Sequence, residues 1–115
     1  MEEGCLFCRI VSGELASKEI YRDGAVVAIQ DLNPQAPAHV LVLPLRHVDD
    51  VAALAIPENA ALTQALMSAA ARLGAELGGE RGFRLVVNTG PDGGQTVGHL
   101  HVHVLAGRPM RWPPG

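Results

Sequence analysis

The 115 residues predict an α+β fold: an antiparallel meander sheet carrying one long helix and a short N-terminal helix. Short β-prone runs are joined by turn residues rather than by helical crossovers. One long stretch in the middle repeats its apolar positions at the helical period. "HLHVHVL", His99 to Leu105, alternates imidazoles with apolar side chains at the strand period. A doubly wound sheet would instead alternate strand and helix along the whole chain.

From Cys5 to Val11 the residues Leu6, Phe7, Ile10 and Val11 fall at helical spacing, and Ser12-Gly13 ends the run. Ile20-Tyr21 and Ala25 to Ile29 are β-prone and are split by Asp23-Gly24, a two-residue hairpin signal. In "DLNPQAPAH", Pro34 and Pro37 exclude a central strand and keep the chain extended up to His39; Val40 to Leu43 then reads as a buried strand ended by Pro44. Pro57 suits the first position of a helix and Glu58 its first turn. Leu62, Leu66, Met67, Ala70, Leu73 and Leu77 continue at three-to-four spacing until Gly78-Gly79 closes it. Arg84 to Val87 is a strand, "NTGPDGGQTVG" a glycine-rich loop, and His101 to Leu105 the last strand. "RPMRWPPG" holds too many prolines for regular structure.

The length suits one domain over residues 1–115, with no repeat and no linker. Aromatics are only 3% of a chain that is 48% hydrophobic, so the core must be aliphatic. The net charge is −3 and the basic residues are scattered, which disfavours a nucleic-acid polymer as partner. A Met-Glu-Glu start without a basic or apolar leader, and no apolar run of the ~20 residues that a membrane span needs, point to a soluble, cytoplasmic protein with no membrane partner. Both cysteines sit in one C-x-x-C, Cys5 and Cys8, too close to staple a fold. They are a redox pair, a metal half-site or two buried thiols, and no strand precedes them as thioredoxin-like chemistry would want.

Alternation puts His99, His101 and His103 on one face of the last strand and Leu100, Val102 and Val104 on the other. On a straight strand neighbouring imidazoles stand roughly 7 Å apart, too far for three zinc bonds of ~2 Å to converge. Ahead of them, Gly93-Gly94-Gln95-Thr96-Val97-Gly98 offers backbone amides and a hydroxyl to an anion. Together the two segments suggest a phosphate held against a nucleophile. Neutral imidazole attacks phosphorus near pH 7 and leaves readily afterwards, and the middle histidine is the natural attacker.

"QTVGHLHVHVL" with the upstream "PQAPAHVLVLP" resembles the histidine triad family of nucleotide hydrolases and transferases, whose signature His-x-His-x-His-x-x is matched throughout by His99 to Leu105. The likeness covers nearly the whole chain. It is greatest to the Hint branch, in which a "PQAP" segment and a terminal Trp-Pro-Pro-Gly recur. The resemblance implies a histidine-triad fold with sheets joined across a homodimer, and a purine nucleoside phosphoramidase that cleaves AMP-amine or AMP-lysine conjugates to AMP. It implies His101 as nucleophile, His103 and His39 as phosphate contacts and proton relay, and His99 as the residue whose carbonyl orients His101. It also implies phosphate contacts from Asn88, Gln95, Thr96 and Val97, ribose contact from Asp31, and a base pocket of Leu6, Phe7, Ile10, Ile29 and Leu32. Ile29 stands where animal relatives carry an aromatic, which loosens purine preference. Trp112 is expected to pack on the partner subunit near its site, or else to lie exposed.

The family needs no cofactor for catalysis, yet some bacterial relatives hold zinc with a helical C-x-x-C, a "P-x-x-H" histidine and the first triad histidine. Here those are Cys5, Cys8, His47 and His99, a complete tetrahedral set for a structural ion. Two other functions stay open: a nucleotide-binding regulator with little turnover, and a dinucleoside polyphosphate hydrolase, whose branch lacks "WPPG". Transferase members replace the third histidine by Gln, which His103 disfavours.

Overall fold

A computed structural model describes residues 4–115; the Met-Glu-Glu start that bears on targeting lies outside the described residues. Helix α1 (Leu6–Val11) is capped by Cys5, whose Sγ accepts from Cys8 N at 3.2 Å. Strands β1 (Glu19–Arg22) and β2 (Val26–Gln30) form a hairpin. Its two-residue turn is Gly24-Ala25 rather than the expected Asp23-Gly24: Asp23 N bonds Val26 O at 3.0 Å, and Asp23 Oδ1 accepts from both Ala25 N and Val26 N at 2.8 Å. The carboxylate closes the turn from the strand side, a local bond that Asp makes readily.

Strand β3 (Ala38–Pro44) follows the proline-rich segment. Two 3-10 turns, Val51–Ala55 and Pro57–Asn59, lead into helix α2 (Ala60–Gly78), so Pro57 opens the turn before the helix instead of the helix itself. Gly79, at φ 55°, ends α2 in a conformation costly for other residues. Strands β4 (Phe83–Val86) and β5 (Val102–Ala106) flank the glycine-rich loop. Beyond Gly107 the tail has no helix or strand, and Trp112 is 83% exposed.

All strand pairs are antiparallel in the order β1-β2-β3-β5-β4. The first three are a meander; α2 then carries the chain to the far edge, and β5 returns between β4 and β3. Both faces of β2 and β3 are covered, which is why Val26 to Ile29 and Val40 to Leu43 read as unbroken apolar runs. Val26, Ala28, Val40, Val42, Val102 and Val104 pack under α2 against Leu66, Ala69, Ala70 and Leu73. Val27, Ile29, Leu41 and Leu43 pack on the opposite face with Phe7 of α1. The core is aliphatic, as the composition requires.

The last strand starts at Val102, one residue later than expected. Its ladder with β3 ends at the pair Val42↔Val102, because the groups that would extend it are used elsewhere. Pro44 O takes His99 Nε2 at 2.9 Å, and Leu100 N bonds Val48 O at 2.6 Å. The alternation outlives the ladder: Leu100 stays in the core under α2 with Val102 and Val104. No helix among the described residues is long and apolar enough to cross a membrane.

Candidate active site and metal cluster

The register places His39 opposite Leu105 and His103 opposite Leu41, so the two histidines are diagonal neighbours on one sheet face. His39 Nε2 and His103 Nδ1 lie 2.9 Å apart. Gln35 N donates to His39 Nδ1 at 3.0 Å, which leaves the proton of a neutral His39 on Nε2, donated to His103 Nδ1. By the same logic His103 carries its own proton on Nε2. These tautomers follow from the hydrogen-bond network. Asp31 Oδ2 lies 3.4 Å from His39 Nε2, while Asp31 Oδ1 accepts from Asn33 N at 2.8 Å and holds the turn into Pro34.

Burial pushes the pKa of His103 down to about 4, helped by the neighbouring His101 and His39, and pushes His39 down against the opposing pull of Asp31. Both rings are therefore neutral near pH 7. His101 bonds through Nδ1 to the carbonyl of His99 at 2.8 Å. A carbonyl only accepts, so the neutral form of His101 carries its proton on Nδ1 and keeps a lone pair on Nε2. Its ring sits 5.0 Å, centroid to centroid, from both His103 and Phe7. Ring tilt thus brings the imidazoles closer than the backbone spacing suggests.

A cavity of about 450 Å³ opens beside these rings, within the range of small-molecule sites. His101, His103, Asp31, Thr96 and Val97 line it. So do all five expected apolar residues, Leu6, Phe7, Ile10, Ile29 and Leu32. Phe7 and Ile29 are core residues as well, only 5% and 3% exposed, whereas Leu32 is 94% exposed at the cavity. Leu15, Ala16 and Leu41 also line it, and nothing in their local sequence signals that.

Asn88 and Gln95 are not among the residues lining this cavity. Asn88 Nδ2 donates to Gly93 O at 2.7 Å, within the glycine-rich loop. Gln95 Oε1 accepts from Gly90 N at 3.0 Å, and its Nε2 donates to Val97 O at 3.0 Å and to Asp49 O at 2.8 Å. Gly93 is held by close approach, since a Cβ there would overlap the Thr89 carbonyl.

His99 is fully buried and turns away from this cavity towards the cysteines. Its Nε2–H is donated to Pro44 O, so Nδ1 presents a lone pair 3.3 Å from Cys5 Sγ and 3.5 Å from Cys8 Sγ. Burial lowers its pKa, so the ring is neutral. His47 is arranged alike: Nε2–H goes to Asp49 Oδ1 at 2.8 Å, and Nδ1 lies 3.3 Å from Cys8 Sγ. The four donor atoms lie within 4.8 Å of one another. Zinc bonds of 2.0–2.3 Å in a tetrahedron set ligand atoms ~3.5 Å apart, so the donor chemistry and spacing fit that ion. Both imidazoles already have the outer partner that metal-bound histidines use. Nothing in "HVDD" singles out Asp49 over Asp50 as the partner of His47.

A HIT domain family model matches residues 12–110. An uncharacterized HIT-like protein of Synechocystis is 44% identical over 115 residues, covering 100% of both chains. A 14 kDa zinc-binding protein of Zea mays is 41% identical over 112 residues, covering 96% of this chain and 87% of the relative. Among solved structures, a HIT family hydrolase from Legionella pneumophila superposes with TM-score 0.92 at 38% identity, covering 97% of this chain and 100% of that one.

Proposed function

The chain belongs to the HIT domain family, and from that premise we propose that it is a Hint-branch hydrolase of purine nucleoside 5′-phosphoramidates, releasing a nucleoside monophosphate and an amine. The observation that carries this reading is the 2.8 Å bond from His101 Nδ1–H to the His99 carbonyl, which reserves the Nε2 lone pair for attack on phosphorus. Attack forms the P–Nε2 bond as the P–N bond of the substrate breaks. The departing nitrogen takes a proton through the His39 and His103 pair, whose rings are already hydrogen-bonded. Water then cleaves the nucleotidyl-histidine, so that the sum is addition of water across the P–N bond.

In this reading the backbone around Thr96 and Val97 and the Thr96 hydroxyl take the non-bridging oxygens, with Asn88 and Gln95 shaping the loop that presents them. Asp31, an acceptor beside the cavity, suits the ribose hydroxyls. The base would lie among Leu6, Phe7, Ile10, Ile29 and Leu32. Cys5, Cys8, His47 and His99 would hold a structural zinc ion, which supplies a cross-link between α1 and the segments around β3 and β5 rather than chemistry. The assembly would be a homodimer, with Trp112 near the partner's site.

The test is hydrolysis of a fluorogenic adenosine 5′-phosphoramidate by wild type and His101→Ala. Loss of His101 should lower kcat/KM by at least ~10³-fold, as removal of a nucleophile does, while AMP still binds. Equal rates in the two proteins would remove the proposal.

A further inference from the structure

We propose that the Cys5, Cys8, His47 and His99 cluster, when it holds a divalent metal, positions the nucleophile and the walls of the nucleotide cavity. The inference rests on the phosphoramidase reading of that cavity. Three separate links join the cluster to it.

The first runs through His99. Its Nε2 is tied to Pro44 O, and its Nδ1 faces both sulfurs. A metal bond at Nδ1 would pin both ends of the ring, and with it the peptide whose carbonyl takes the His101 Nδ1 proton at 2.8 Å. If that carbonyl swings away, His101 loses the partner that selects its tautomer, and the Nε2–H form has no lone pair on Nε2 with which to attack.

The second runs through α1. A helix of six residues cannot hold itself in place, so its position depends on tethers. Cys5 and Cys8 add such tethers to the packing of Phe7, Ile10 and Val11 on the sheet, and Phe7 between them packs edge-on against His101 and His99, at 5.0 and 5.9 Å. Moving α1 moves the cavity wall. The third runs from His47 to Asp49 at 2.8 Å and from the Asp49 carbonyl to Gln95, whose side chain also holds Val97 and Gly90 of the glycine-rich loop. Cys5, Cys8 and His47 are thus positioning residues acting through three neighbours at once.

Protein labelled with ¹⁵N-histidine is compared zinc-loaded and zinc-stripped under reducing conditions, with circular dichroism confirming the fold. Long-range ¹H–¹⁵N spectra report the His101 tautomer, and calorimetry reports AMP affinity. Stripping should turn a single Nδ1–H form of His101 into a mixture and weaken AMP binding by about tenfold or more, the scale of outer-shell effects at metal sites, with one equivalent of zinc restoring both. His47→Gln, which keeps both thiols and His99, should show the same two losses at subsaturating zinc, and decides the matter if the stripped wild type unfolds. A metal-free folded protein, or His47→Gln, with an unchanged tautomer and AMP affinity within about twofold would overturn the proposal, as would failure to take up zinc. Failure of AMP to bind even the loaded protein would sink the phosphoramidase reading instead, and the tautomer spectra would still decide the coupling.

Discussion

His103 and His39 are uncharged in the fold because burial outweighs the pull of Asp31 on His39, and this sets how the protein meets acid. A His103 pKa of about 4, against 6.5 ordinarily, means that the unfolded chain binds more protons throughout the interval between them. Stability from this group is whole above pH 6.5 and is lost as pH falls towards 4. His39 and His99 are shifted the same way and add to the slope. Thermal melts should show Tm falling from pH 7 to 4.5, and His103→Asn should flatten the accompanying fall in unfolding free energy by on the order of 1 kcal/mol per pH unit. Equal slopes in the two proteins would contradict the assignment. The placing of His101 and His103 beside one cavity was legible in the alternation of "HLHVHVL"; the direct bond between His39 and His103 was not, because their meeting depends on a β3 to β5 register that neither segment encodes alone.

Helix α2 was readable from its apolar spacing, but its close approach to Phe83 was not. A Cβ on Gly74 would run into the ring of Phe83, so the glycine is what lets β4 lie against the helix. Gly74→Ala gains helix propensity of ~1 kcal/mol, yet overpacking costs ~1–3 kcal/mol. The expected outcome is a lower Tm in calorimetry, by several degrees; a Tm at or above wild type would show that the ring moves aside freely. Turn chemistry was also only half legible. The Asp23-Gly24 pair announced a hairpin, but the carboxylate itself moved the turn by one residue. The start of β5 was hidden for a related reason: a side chain, His99, takes the carbonyl that a strand would have used.

For the molecule as a whole, the cysteines and histidines draw together distant parts of the chain. Burial raises the pKa of the Cys5 thiol, so zinc uptake near pH 7 must expel protons. Calorimetry in buffers of different ionisation enthalpy should register that release, with one zinc per chain by elemental analysis; metal-free protein from a preparation never exposed to chelator would refute zinc occupancy. Strands β1 and β4 end the sheet, and Met67, Leu77 and Phe83 are 52, 39 and 40% exposed on α2 and β4. Sedimentation equilibrium should give twice the chain mass, and a single-chain mass would dismiss the proposed homodimer. The pairing of β3 with β5 also governs timing. His39 waits for His103, and Cys5 waits for His99, so a ribosome-bound chain with residues 99–103 still in the exit tunnel has neither the His39–His103 bond nor the four-donor cluster. In such a molecule both sets of contacts arrive together, once β5 has paired with β3, and a fragment without residues 99–103 holds neither.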